Sequence, residues 1–358
     1  MIKINTLLAT SIVVISMISC SKSDTEPIIV IPPSSGSTLT LNGLISNESG
    51  SSAGNSVYVD LSSDIQTPIA RDSWDLGFYS GSDFRVILNN SVSAAATVTA
   101  KNSLTEVGEA DTLNLTLAIN QGAPDAEHFK NIDGLNGTLE STVIPAISNI
   151  DTENKVIILN RGTGGGVAKR PWIKLKISKS SNGGYTLQYG TIKQTTNFKS
   201  VQVSKDEAYN FKFISLNAGS EVKVEPKKDE WDFVWGYSVY QTSFGPSGLV
   251  AYNFSDLVFI NIHAKTEIAE ILTTENFKYD TFKSSDLTNA IVKFSKNRDV
   301  IGANWRATTG TTAGVKTDRF YVVKDSKGNN YKLKFNSFGA GNDGGTRGKP
   351  VIQYELLK

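Results

Sequence analysis

Cysteine is nearly absent from this chain of 358 residues: there is one, Cys20, close to the N-terminus. A disulfide needs a partner and a thiolate zinc site needs several cysteines, so a packed core has to hold the fold. Histidine is almost as scarce, at His128 and His263, and the two methionines, Met1 and Met17, fall in the N-terminal stretch. Imidazole chemistry therefore rests on two positions. Charge of one sign is lacking as well. Lys and Arg number 36 against 35 Asp and Glu, a net of +1, which is not the basic surplus of a nucleic-acid binder. No His-Glu-x-x-His segment is present. The glycine runs GTGGG (162–166) and GAGNDGG (339–345) carry neither a Walker lysine nor a dinucleotide fingerprint. No helix is expected to open after them, so they read as loop glycines without anion-binding geometry. The sequence gives no reason to expect an enzyme.

What is present begins with the leader MIKINTLLATSIVVISMISC, in which Lys3 precedes an apolar run from Leu7 to Ile18. This is the layout of a secretory signal, too short for a spanning helix. Its end, Met17-Ile18-Ser19-Cys20, resembles the lipobox of bacterial lipoproteins. That resemblance implies cleavage before Cys20 and attachment of lipid to its thiol. Residues 21–38 are rich in Ser and Pro and read as a flexible tether. Their start, SKSDTE, resembles the acidic export tag of surface lipoproteins in the Bacteroidetes. The expected location is the outer membrane at the cell surface, with the lipid as the membrane contact.

The remainder has the texture of an all-β protein, with short Val, Ile, Tyr and Phe runs between Gly, Ser, Thr and Asn. WIKLKIS (172–178) and YTLQY (185–189) alternate around a Ser-Asn-Gly-Gly turn, and FYVVKDSKGNNYKLKFNSF (320–338) repeats that design. VIQYELL (351–357) is a last strand. Helical spacing is confined to AKTEIAEIL (264–272) and a segment around 286–294. One phrase occurs twice, RDSWDLGFYSGSDF (71–84) and KDEWDFVWGYSVYQTSF (228–244). A lead strand precedes each, NSVYVDLSS (55–63) and AYNFKFISL (208–216), and a hairpin follows each, 172–189 and 320–335. An ordered duplication of this length predicts two tandem homologous antiparallel β domains with a few short helices, over residues 39–195 and 196–358. Trp74 and Trp231 are then core anchors, and Asp75 and Asp232 bind backbone at a strand end.

The lead strand, the Trp-Asp strand, the segment ILNNS (87–91), the closing Tyr331-Lys-Leu-Lys-Phe335 and RGKPVIQYELL (347–357) resemble the HmuY-like haem-binding lipoproteins of the Bacteroidetes. The resemblance covers most of residues 54–358. It implies a nearly all-β fold, haem as the ligand, and transfer of haem to an outer-membrane receptor. Members of the family place one axial ligand soon after the Trp strand, where this chain has Phe78-Tyr79 and Trp235-Gly236-Tyr237 and no His. His263 stands where a second ligand would. The candidate haem residues are therefore His263, Tyr237, Tyr240 and Trp235, with His263 as the axial metal ligand. The residues leave three arrangements open. One is a His–Tyr pair. Another is aromatic packing of a porphyrin, or of another flat apolar ligand, by FVWGYSVYQTSF (233–244) without iron ligation. The third is surface adhesion or glycan binding without haem, with Trp172 or Trp305 exposed on a rim.

Overall fold

The computed structural model describes residues 32–119 and 122–358. Cys20, the signal over 1–20 and nearly all of the tether lie outside the described residues. β1 (Gly36–Thr40) comes first. A hairpin of β2 (Asn55–Asp60) and β3 (Ile65–Ala70) leads to the first Trp-Asp strand, β4 (Leu76–Tyr79), and its partner β5 (Val86–Leu88). Then come β6 (Ala95–Val98), β7 (Ile157–Asn160), β8 (Ile173–Lys179), β9 (Tyr185–Thr191) and β10 (Lys199–Val203). The second series keeps this order: the hairpin β11 (Phe211–Ser215) and β12 (Ser220–Val222), the second Trp-Asp strand β13 (Phe233–Ser243), and β14 (Leu249–Ile260). β15 (Glu267–Leu272), a short pair β16 (Arg306–Ala307) and β17 (Gly314–Val315), then β18 (Arg319–Lys324), β19 (Asn330–Ser337) and β20 (Val351–Leu356) complete it. All pairings between these strands are antiparallel. The described helical segments are short 3-10 turns.

Four sheets carry the architecture, in the orders β12-β11-β4-β5, β10-β9-β8-β7-β6, β14-β13-β2-β3 and β1-β20-β19-β18-β15. The first two close on a core of residues such as Leu76, Phe78, Leu159, Leu175, Tyr185 and Ile214. The other two close on Val57, Val59, Phe233, Trp235, Tyr331 and Tyr354. Strand alternation sends the remaining face of each inner sheet toward the other sandwich, where Tyr58, Trp74, Phe211, Phe213 and Trp231 pack together.

The duplication is visible, but its two copies exchange hairpins. β2 pairs with β13 and β11 pairs with β4, so each Trp-Asp strand takes its neighbour from the other copy. The same three contacts lock each exchange. Asp75 donates its N–H to Ile214 (2.9 Å) and its carboxylate accepts from the N–H of Leu216 (2.8 Å). Asp232 donates to Val59 (2.7 Å) and accepts from Leu61 (2.8 Å). Trp74 meets Phe213 of β11 edge-on at 4.8 Å, and Trp231 meets Tyr58 of β2 at 5.0 Å. Asn89 and Asn261 then tie the following turn back to the carbonyls of Trp74 and Trp231.

These contacts correct several expectations. Residues 33–358 form one compact unit. The sheets divide the chain as 71–225 against 33–70 with 226–358, not at 195/196, because β10 and the β11–β12 hairpin complete the first sandwich. The matching hairpins were displaced by one strand. Thr97 of β6 faces Ile158 of β7, which faces the buried Lys174 of β8. Ala269 of β15 likewise faces Val322 of β18, which faces the buried Lys332 of β19. β7–β8 thus corresponds to β18–β19. One alternating hairpin looks like another in sequence, which is why the shift was invisible. The tether is shorter than 21–38, since β1 starts at Gly36 and pairs with β20. AKTEIAEIL is a strand. Ile268 faces the sandwich core while Ala269 and Ile271 face a second cluster with Phe282, so both faces are apolar and imitate helical spacing. Around 286–294 there is a single 3-10 turn, Ser284–Thr288.

The exchange predicts how fragments behave. Residues 71–225 contain every strand of the first sandwich and should give a cooperative unfolding transition and dispersed amide NMR signals. Residues 196–358 lack β1, β2 and β3, leave β13 without its neighbour, and should remain unfolded. A folded 196–358 fragment would contradict the exchange.

Candidate functional site

The site grows out of a difference between the copies. β4 has 4 residues, whereas β13 has 11 and β14 has 12. The extra length carries the β13–β14 hairpin past its own sandwich, where Val239 and Ala251 join a cluster with Ala95, Ile132 and Ile158. The pairing of β13 with β14 shifts register between Gly236 and Ser238. Such a bulge re-aims the side chain it contains, here Tyr237, which lines two cavities at once.

The first cavity, about 150 Å3, lies between the inner sheets. Tyr58, Trp74, Phe213, Trp231 and Phe259 give it an aromatic wall. Its polar groups are His263, Asp133, Glu225 and Arg298. Burial pushes the Glu225 carboxyl up to about 8, against the N–H of Phe211, which donates to it at 2.7 Å. Burial also lifts Asp133 to about 6, although the N–H groups of Leu88 (2.6 Å) and Val143 (2.9 Å) stabilise its anion. His263, in the 3-10 turn Ile262–Ala264, is lowered to about 4 by burial and by the Arg298 charge, so it is neutral at pH 7. It hydrogen-bonds the backbone of Gly137, and its ring packs against Phe211 at 5.3 Å and Tyr79 at 5.9 Å.

The second cavity is an open groove of about 680 Å3 on the other side of Tyr237. Behind its lining stands Arg71, a buried guanidinium that donates to the carbonyls of Ala53 (2.7 Å), Gly164 (3.2 Å), Gly165 (3.2 Å) and Ser91 and lies 4.8 Å from the centre of the Tyr237 ring. The glycine run 162–166 forms one wall. At Gly165, φ is +66° and a Cβ would meet the Arg71 guanidinium at 2.3 Å, so only glycine lets the loop lie against that guanidinium. Tyr252, Phe254, Arg306 and Arg347 form the opposite side. Arg347 is neutralised by Asp256 at 2.7 Å, while the Nε of Arg306 is buried without a hydrogen-bond partner among the described residues.

Of the four expected site residues, His263 and Tyr237 meet at one cavity and the other two stand apart. His263 faces the inter-sheet cavity and Tyr237 faces both cavities. Tyr240 lines neither, and its hydroxyl donates to Asp299. Trp235 belongs to the core of the second sandwich, because it lies two residues from Phe233 on the inward face of β13. Trp305 is also core, stacked on Phe335 at 4.1 Å, whereas Trp172 lines a shallow surface pocket with Pro171 and Ile192. His128 is buried in the turn Ala126–Asn131, away from both cavities. Sequence reasoning missed Tyr252, Arg298, Arg306 and Arg347. It also missed that Gly50-Ser51-Ser52-Ala53-Gly54 has the letters of a nucleophile elbow. Here Gly50–Ser52 is a 3-10 turn that runs into a strand, not a strand feeding a helix, so the letters carry no elbow geometry.

The described residues thus form an all-β pair of sandwiches with a groove that Tyr237, Tyr252 and Phe254 border, and they hold no group of three or more His, Cys, Asp or Glu placed to bind a metal. The family described as HmuY protein matches residues 52–354, and the chain belongs to that family. None of the curated proteins and none of the solved structures matches it. No helix among the described residues is long and apolar enough to cross a membrane.

The acids behind the cavity set a pH dependence. Glu225 and Asp232 both stand at about 8 in the fold, raised by burial, and near 4 when unfolded. Their stabilising contribution is complete below about pH 4 and is lost as pH rises through about 8. The thermal midpoint should therefore fall across that window. Glu225→Gln should flatten the fall, as measured by calorimetry at half-unit pH steps, and an unchanged slope would remove Glu225 from the account.

Proposed function

We propose that this protein captures haem at the cell surface as a non-catalytic, lipid-anchored binding protein, and that the porphyrin lies in the groove beside Tyr237 and Tyr252. Size carries this reading. A ligand pocket for a molecule of that class measures about 300–1,000 Å3. The groove, at about 680 Å3, falls within that range, and the inter-sheet cavity, at about 150 Å3, does not. The family assignment is consistent with haem. Tyr237 or Tyr252 would supply the axial oxygen. Burial raises the Tyr237 phenol, while the N–H of Gly165 and the Arg71 charge favour its anion, which is the ligating form. Arg306 and Arg347, which line the groove, would face the propionates. His263, expected from the sequence as an axial ligand, plays no part in this arrangement. An outer-membrane receptor would receive the ligand, and Cys20 would carry the anchor.

A glycan-binding or adhesive surface protein is the second reading, favoured by the many hydroxyl and amide groups along the same groove, among them Ser51, Ser52, Asn160 and Thr163. Haemin titration of residues 33–358, followed at the Soret band, separates the two. One equivalent should saturate a shifted band that changes in Tyr237→Phe or Tyr252→Phe and stays the same in His263→Ala. Loss of the band in His263→Ala alone would move the porphyrin out of the groove. Absence of saturable binding in either redox state would leave the glycan or adhesion reading.

A further inference from the structure

The inter-sheet cavity holds a charge that no hydrogen bond or ion pair among the described residues takes up. Arg298 is half-buried in the cavity wall, and the N–H of Ile260 fixes its backbone by donating to the Arg298 carbonyl at 2.9 Å. The guanidinium lies 4.1 Å from the centre of the Phe259 ring and makes no hydrogen bond or ion pair among the described residues. Asp133, the opposite charge it senses most, is committed to the N–H groups of Leu88 and Val143. An arginine offers five N–H donors in a planar fork, and here that fork is open to the cavity. Room for it is built in. At Gly137, φ is +72° and a Cβ would meet the Arg298 Cδ at 2.6 Å.

We propose that this cavity is a second binding site, for a carboxylate carried on a single aromatic ring, with the carboxylate on Arg298 and the ring among Trp74, Trp231 and Phe213. The volume of about 150 Å3 is that of a cavity which holds one benzene ring, roughly 150 Å3. Its rings offer edges and faces for an aromatic guest. A carboxylate matches the guanidinium fork in bidentate fashion. Two acids also face the site. Glu225, at about 8, carries its proton at pH 7 and does not repel the guest. Asp133 opposes it in part, which sets the affinity but not the class of ligand.

Titration calorimetry of the full-length protein at pH 7 tests this with benzoate, benzamide and toluene. Benzoate should bind one to one, at least tenfold more tightly than benzamide. Arg298→Met should weaken benzoate at least tenfold and leave toluene unchanged, the toluene result showing that the cavity and the fold survive. Equal binding of benzoate and benzamide to the unmodified protein would overturn the proposal without any variant. So would benzoate binding that Arg298→Met leaves intact, or no saturable benzoate binding.

Discussion

Two aspartates hold this molecule in its shape. Asp75 and Asp232 each fasten a hairpin from the other half of the chain onto a Trp-Asp strand, through one backbone and one side-chain bond. Everything larger follows from that exchange. Because each inner sheet contains strands from both halves, the two sandwiches cannot drift apart like beads on a linker. Their inner sheets must face each other, and the aromatic layer and the cavity exist because they do. The Trp-Asp phrase recurs in the sequence since both ends of the exchange need the same device. Trp covers the crossing strand and Asp binds its backbone.

The two copies solve the problem of a buried carboxylate differently. Asp75 receives a bidentate pair from Arg161, with Nε at 2.7 Å and Nη2 at 2.8 Å, and Arg170 stands beside it at 3.4 Å. Asp232 has no arginine partner among the described residues. Its neighbours include Asp60 and Asp325, and burial lifts it to about 8, so it is protonated at neutral pH. A charge that cannot be paired in a low-dielectric site is neutralised instead. The first sandwich is thus braced by charge, and the second by a neutral acid whose contribution depends on pH. The second copy also differs in its long β13–β14 hairpin, and both cavities adjoin that extension. Duplication supplied the scaffold, and the lengthened hairpin supplied the recesses.

The β class, the duplication and the anchoring roles of Trp74, Trp231, Asp75 and Asp232 were legible, because each leaves a local mark: alternation, or a rare residue repeated with its neighbours. The exchange was not legible. It concerns which copy a strand pairs with, and the pattern of polar and apolar residues is the same either way. The strand at 267–272 was misread for a related reason, since the segment over its outer face makes that face apolar too. Of the site, Tyr237 showed itself within an aromatic run. Trp235 in the same run points the opposite way, a distinction that only the bulge at Gly236 to Ser238 decides. Arg298, Arg306 and Tyr252 gave no signal because arginines and tyrosines are common and their meaning here comes from what they lack or face.

The closed layer between the sandwiches also decides how His263 is to be understood. A neutral imidazole beside aromatic rings looks ready to bind iron, and it also borders a surface recess with Tyr79, Tyr209 and Lys228, yet a porphyrin could lie among the rings of the layer only if the inner sheets separated. That would expose Tyr58, Trp74, Phe211, Phe213 and Trp231, all of them buried. At about 2 kcal/mol for each large side chain returned to water, the cost is on the order of 10 kcal/mol. Whole domains are stable by only about 5–15 kcal/mol. The aromatic layer therefore cannot be both the seam that joins the sandwiches and a slot for a macrocycle. It can admit one ring into space that already exists. The exchange of hairpins therefore limits the inter-sheet cavity to the space it already has, about 150 Å3, and leaves the larger groove, about 680 Å3, free of that constraint.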